Sequence, residues 1–252
     1  MNSTQVREEM RRRVDRHIRG FEDWYSRDKG AAYVEAEERA ILEALDLRPG
    51  HAAIDAGCGG GRFTLLMAPR CSRVLATDLS PVAAATTLER AQALGLCNVR
   101  TAVADLVDGL PDEAADRILA AGVLPLIPTH EDRRRALEGL RRSLRPGGRL
   151  VVTAFNGRRF MDLLRGRGAE RIDAQNAENS WFYRYFHSAG ELRAALEEAG
   201  LREVDVLPAI NLPGRTYRWP IARALAPLDR LLGKLPIGRG MGIYLLGTGV
   251  RR

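Results

Sequence analysis

From Ala52 onward, short apolar or β-branched runs alternate with stretches of helical periodicity, and a chain with that rhythm has few folds open to it. Residues 52–55 (AAID), 74–78 (VLATD), 99–105 (VRTAVAD), 116–122 (DRILAAG) and 149–156 (RLVVTAFN) read as strands. The stretches between them carry helix signals. Thr129 with Asp132 approximates a capping box, Ala136, Leu137, Leu140 and Leu144 form an apolar stripe, and RPGG at 145–148 stops that helix. Ser188 with Glu191 opens another helix, which Gly200 closes. Strand and helix in alternation build a parallel, doubly wound sheet with helices on both faces. Residues 201–207 and 241–250 add two strands that read as a late antiparallel pair. The expectation is an α/β fold with a seven-stranded sheet, mostly parallel with an antiparallel edge strand.

Two segments stand outside the rhythm. Residues 1–45 are expected to form an N-terminal helical cap ahead of a domain spanning 46–252, and 157–187 a lid insertion carrying WFYRYF at 181–186. Both can cover the carboxyl ends of the strands, where open α/β sheets bind their ligands. The longest nearly apolar run, 118–128, is too short to span a bilayer, and the N-terminus lacks the apolar core of a secretory signal, so a cytoplasmic protein is expected. Cys58, Cys71 and Cys97 are too scattered for a disulfide framework or a metal site, and no metal is expected.

The net charge of +7 raises the question of a nucleic-acid partner. It is carried almost wholly by arginine, Lys29 and Lys234 being the only lysines, and is scattered without the interleaved aromatics of a single-strand platform. Nucleic acid is therefore disfavoured as a partner. The segment 219–236 sets Ile221, Leu225, Leu228, Leu232 and Leu235 among Arg223, Arg230 and Lys234, and the first helix sets out Val6, Met10, Val14, Ile18 and Phe21. Each suits either packing on the sheet or peripheral contact with a membrane surface.

The chemistry centres on IDAGCGGGRFT, residues 54–64. A dinucleotide register of G-x-G-x-x-G begun at Gly57 needs a third small residue where Arg62 stands, and begun at Gly59 it falls on Thr64. A P-loop is excluded, since no Gly-Lys-Ser/Thr follows. The pattern that fits is D-x-G-x-G-x-G over Asp55, Gly57, Gly59 and Gly61. Two further acids close strands, Asp78 in VLATD and Asp105 in VADL.

With these residues the chain resembles the class I S-adenosylmethionine-dependent methyltransferases, the small-molecule type that includes ubiquinone and menaquinone methyltransferases, from about Asp46 to Arg252. The resemblance implies a Rossmann-like fold and S-adenosyl-L-methionine as cofactor, with S-adenosyl-L-homocysteine as product. It implies that the loop residues Gly57, Cys58, Gly59 and Gly61 pack against the amino-acid and ribose parts, with Asp55 helping to hold the ammonium end. Asp78 and Leu79 would meet the ribose, Asp105 and Leu106 the adenine, and Ala121 with Gly122 the methionine chain. Tyr25 and Tyr33 precede the first strand in a segment that often closes over the cofactor, where an aromatic face can meet a sulfonium by cation–π attraction of about 0.5 to 2 kcal/mol.

In-line methyl transfer draws mainly on alignment and exclusion of water, and needs a base only when the acceptor must lose a proton. His187, after the aromatic run, and His130 are the candidate catalytic residues. Pro125 and Leu126 stand where many small-molecule relatives carry a histidine pair, so no base is borrowed from there. The family's Pro-Pro motif for amide and adenine nitrogens is also missing. The expected reaction is transfer to oxygen or carbon of a small, apolar or aromatic acceptor. An RNA or protein methyltransferase, or a non-catalytic cofactor-binding regulatory protein, are the alternatives.

Overall fold

A computed structural model describes residues 2–112, 114–157, 170–172, 183–211, 217, 222–225, 228–229, 231–232 and 242–252; of these, the side chains of 21–24, 26–28, 170–172 and 222 are not described. In chain order the elements are α1 (Ser3–Lys29), α2 (Ala31–Leu45), β1 (Ala52–Ala56), α3 (Arg62–Met67), β2 (Arg73–Asp78), α4 (Pro81–Ala93), β3 (Val99–Val103) and β4 (Ala115–Ala120). They continue with α5 (His130–Ser143), β5 (Leu144–Asn156), β6 (Glu170–Ile172), β7 (Tyr183–His187), α6 (Ala189–Glu198), β8 (Arg202–Ala209) and β9 (Tyr244–Val250).

The strands run parallel in the order β3-β2-β1-β4-β5. β9 then pairs antiparallel with β5, and β8 antiparallel with β9. The antiparallel strand therefore lies one place in from the edge, with β8 outside it running in the direction of β5. The strand order turns between β1 and β4, which opens a crevice at their carboxyl ends.

Successive residues of each central strand feed opposite layers, as a period of two requires. Ile54, Ile118 and Leu150 pack with Leu137 and Leu140 of α5 and Leu192 and Leu196 of α6, whereas Ala53, Leu119 and Val151 pack with Ile41 and Leu45 of α2 and Met67 of α3. α2 is thus part of the sheet's helical layer. Helix starts follow local chemistry. Ser80 caps α4 by accepting from Ala83 N at 3.0 Å, Thr129 caps α5 by accepting from Asp132 N at 3.0 Å, and Ser188 with Glu191 forms a complete capping box on α6.

Two elements cover the crevice. α1 is fastened at its start and near its middle, since the Ser3 hydroxyl donates to Asp132 on α5 and the Ser80 hydroxyl donates to Asp15. Val6 and Met10 pack against Tyr183 of β7. The β6–β7 hairpin belongs to the expected insertion and was not legible as strands. Phe155 pairs with Tyr244 of β9 on one edge and Phe186 of β7 on the other, so β7 takes the edge of β5 that β4 leaves free beyond Ala120. Trp181 and Phe182, the first residues of the aromatic run, lie outside the described residues, as does most of 219–236. Within that segment Asp229 is buried, accepting from the Tyr217 hydroxyl at 2.5 Å and Asn211 N at 2.7 Å, while Leu228 and Leu231 are exposed. Among the described residues no helix is long and apolar enough to cross a membrane.

Candidate active site

The loop after β1 is held by backbone. Gly57 N and Cys58 N both donate to Thr77 O, at 2.7 and 2.9 Å, which ties the turn to the end of β2. Gly57 and Gly59 take φ of +81° and +55°, the left-handed region that glycine enters without strain. A Cβ on Gly57 would stand 2.1 Å from Val123 Cγ2, so the bare backbone is what lets the two loops meet.

Three acids end the strands around this loop. Asp55 is buried and accepts from the Thr64 hydroxyl at 2.6 Å. Burial pushes its carboxyl up to about 6; the Thr64 hydrogen bond opposes this and the neighbouring Asp78 charge adds to it. Asp78 accepts from Gly59 N and Ser80 N, both at 2.9 Å, yet burial still holds its pKa above the ordinary range. Asp105 accepts from Val107 N at 2.9 Å and lies 3.3 Å from Arg7 of α1.

One cavity joins these groups. Of the expected cofactor residues, Asp55, Gly57, Cys58, Gly59, Asp78 and Leu79 line it, as do Asp105, Leu106, Ala121, Gly122 and Tyr25. The Cys58 thiol is raised by burial, with Asp55 and Asp78 adding to the effect, and stays protonated.

Four expected residues stand apart from the wall. Gly61 begins α3, where a Cβ would come within 3.0 Å of Thr87, so its smallness serves helix packing. Tyr33 sits one layer back, edge-on to Tyr25 and Tyr244 with ring centroids 6.3 and 6.5 Å away. His130 is exposed at the start of α5. His187 is buried against Tyr185 at 4.7 Å, and Arg133 lies over the other ring at 3.9 Å. Burial first, then the Arg133 charge, lowers its pKa to about 4, which makes it a weak base. Neither histidine lines the described cavity.

Several wall residues were missed. Arg7, Met10, Arg11, Val14, His17 and Ile18 of α1 form one helical stripe facing the cavity. The apolar part of that stripe was readable, but its target was not. Arg62, the residue that broke the dinucleotide register, donates to Glu37 at 2.7 Å and lies 4.9 Å from the Tyr25 ring centroid. Glu37 also accepts from the Tyr25 hydroxyl, and Tyr25 and Tyr244, the latter pushed up to about 12 by burial, stay neutral. Thr153 and Tyr244 complete the side toward β5 and β9. Among the described residues no group of His, Cys, Asp and Glu could hold a metal ion.

A buried acid with a raised pKa beside a second acid makes the loop end of the cavity a place for a cation, and repels a pyrophosphate. The bare Gly57 turn leaves room for close approach by the ligand backbone. The residues therefore fit a nucleoside that carries an ammonium group.

A family model described as a methyltransferase domain matches residues 54–152. A ubiquinone biosynthesis O-methyltransferase of Xanthomonas euvesicatoria pv. vesicatoria is 30% identical over 201 residues, covering 76% of this chain and 81% of that protein. A protein-L-isoaspartate O-methyltransferase of Methylorubrum populi is 33% identical over 139 residues, covering 54% of this chain and 60% of that protein. For this and other curated relatives the chain spans about half of their length, 46 to 60%. Among solved structures, the 1,6-didemethyltoxoflavin-N1-methyltransferase of Burkholderia thailandensis, with bound 1,6-didemethyltoxoflavin and S-adenosylhomocysteine, has a TM-score of 0.66 at 21% identity, covering 100% of this chain and 91% of that one. The chain belongs to the class I S-adenosylmethionine-dependent methyltransferases.

Proposed function

We propose that this protein transfers a methyl group from S-adenosylmethionine to oxygen or carbon of a small, apolar or aromatic acceptor. The observation that carries the reading is the convergence of Asp55, Asp78 and Asp105 on one cavity with the glycine loop between them. The cofactor supplies an electrophilic methyl on a sulfonium. Asp55 and the loop hold its ammonium end, Arg62 lies within the same wall to meet its carboxylate, Asp78 accepts from the ribose hydroxyls, and Asp105 with the Leu106 amide meets the adenine.

The apolar part of the remaining wall supports the acceptor class. Val123, Leu126, Ile127 and Tyr244 are apolar or aromatic, and the apolar stripe of α1 keeps water from the reacting groups. The ubiquinone relative acts in the biosynthesis of a small apolar molecule, and the toxoflavin enzyme binds a small ring compound. Both support a small acceptor here. Of the four histidines in the chain, His17 is the one on the described wall.

The test is incubation with methyl-labelled S-adenosylmethionine and separate lipid, polar-metabolite, protein and RNA fractions. Label in lipid-soluble or aromatic small molecules is expected. Label confined to RNA or protein contradicts the proposed acceptor, and cofactor binding with no transfer to any fraction points to a regulatory protein instead.

A further inference from the structure

Arg7 sits on the cavity wall with its Nη1 3.3 Å from Asp105 Oδ2, and both side chains are about four-fifths buried, at 19% and 20% exposure. Yet Arg7 Nε and Nη1 are buried without a hydrogen-bond partner. Buried guanidinium donors left unmade are costly, so an acceptor is missing at this point of the cavity. The nearby Asp132 is already held by the Ser3 hydroxyl and the Thr129 cap. Asp105 is fixed from its other oxygen by Val107 N, so its carboxylate and the Arg7 guanidinium stand side by side. Leu79, Ala104 and Leu106 line the same part of the cavity, a suitable slot for a flat base.

We propose that Arg7 reads the adenine of the cofactor, donating to ring nitrogen N7 while Asp105 accepts from the exocyclic amine. This rests on the cofactor reading above. Along one edge adenine presents a donor, the N6 amine, next to an acceptor, N7. A carboxylate beside a guanidinium presents the reverse order, acceptor then donor. A 6-oxo purine would turn an acceptor toward Asp105, so the pair selects for the base as well as holding it.

Calorimetric titration with three ligands tests this: S-adenosylhomocysteine, its 7-deaza analogue, in which a C–H replaces N7, and its inosine analogue. Wild-type protein is expected to bind the 7-deaza analogue about tenfold or more weakly than S-adenosylhomocysteine, the range for one charged hydrogen bond. Arg7→Met should lose a similar factor for S-adenosylhomocysteine and bind the two ligands equally, while still rejecting the inosine analogue through Asp105. Equal wild-type affinity for the first two ligands overturns the proposal, and so does a ratio that survives in Arg7→Met. The wild-type comparison needs no variant, so it stands even if Arg7→Met folds poorly. Failure of wild-type protein to bind S-adenosylhomocysteine at all refutes the cofactor reading itself, and the role of Arg7 falls with it.

Discussion

The floor of the crevice is made of strand ends and backbone, its roof of side chains on one helix. On the floor, Gly57, Gly59 and Asp78 are bound to one another or to β2 through main-chain amides, and their positions follow from the register of two adjacent strands. On the roof, Met10, Val14 and Ile18 reach the same cavity through tertiary contacts of α1, among them the bonds of Ser3 and Asp15 to distant parts of the chain. A site can thus combine a rigid, locally encoded half with one whose position depends on a few tertiary contacts. Substitutions on the floor should cost more binding than those on the roof, and the following outcomes would break or sharpen that contrast.

Gly57→Ala is the most damaging. It combines a left-handed backbone with a 2.1 Å clash on Val123, and strain plus overpacking should cost about 2 to 5 kcal/mol. Thermal melting and titration with S-adenosylhomocysteine should show a lower Tm and no measurable binding, with partial recovery when Val123→Ala is added. Wild-type behaviour would mean that the loop has freedom the contrast denies it.

Asp78→Ala comes next. Loss of two charged hydrogen bonds to the ribose should weaken S-adenosylhomocysteine binding by about 100-fold. Unchanged affinity in calorimetry removes the ribose from this strand end.

The pH dependence is third. The unliganded Asp55 carboxyl is raised from 3.8 to about 6, so near pH 6 it is partly protonated. A bound ammonium lowers that pKa again, so binding releases a proton and affinity should rise between pH 5 and 7 by up to tenfold per unit below about 6. Titrations in buffers of different ionisation enthalpy count that proton, and Asp55→Asn should abolish the release. For folding the sign is opposite. In the unliganded protein Asp55 binds a proton more tightly than in the unfolded chain, so its contribution is present below 3.8 and is lost as pH rises through about 6.

Val14→Ala on the roof should do least, trimming a partly buried side chain at about 1 kcal/mol of ligand affinity and leaving the fold intact. A loss as large as that of Asp78→Ala would erase the distinction between floor and roof.

The same division explains what could be read in advance. The acids at 55, 78 and 105 were legible because strand ends and glycine spacing are local properties of a βα unit. The amphipathic face of α1 was also legible, but periodicity gives a face without its partner. Its apolar residues Val6, Met10 and Ile18 are buried within the protein. Tyr33, expected at the cofactor, falls behind Tyr25 and off the described wall, since a helix turns its side chains between layers. His187 was singled out for its aromatic neighbours in sequence, and the structure places it buried and off the described cavity wall. In β7 the alternation of a strand puts it with Tyr183 and Tyr185, away from Phe186, which packs on Phe155 at 5.3 Å. The β6–β7 hairpin itself went unread, since its pairing to β5 spans only Phe155 and Asn156 and leaves no pattern in the sequence.

A crystal structure of the protein with S-adenosylhomocysteine tests the central claim most directly. The account predicts the ribose hydroxyls within hydrogen-bond distance of Asp78, the adenine amine at Asp105 and the ammonium group over the Gly57 turn beside Asp55. A ligand bound in the reverse direction, or outside this crevice, would contradict it.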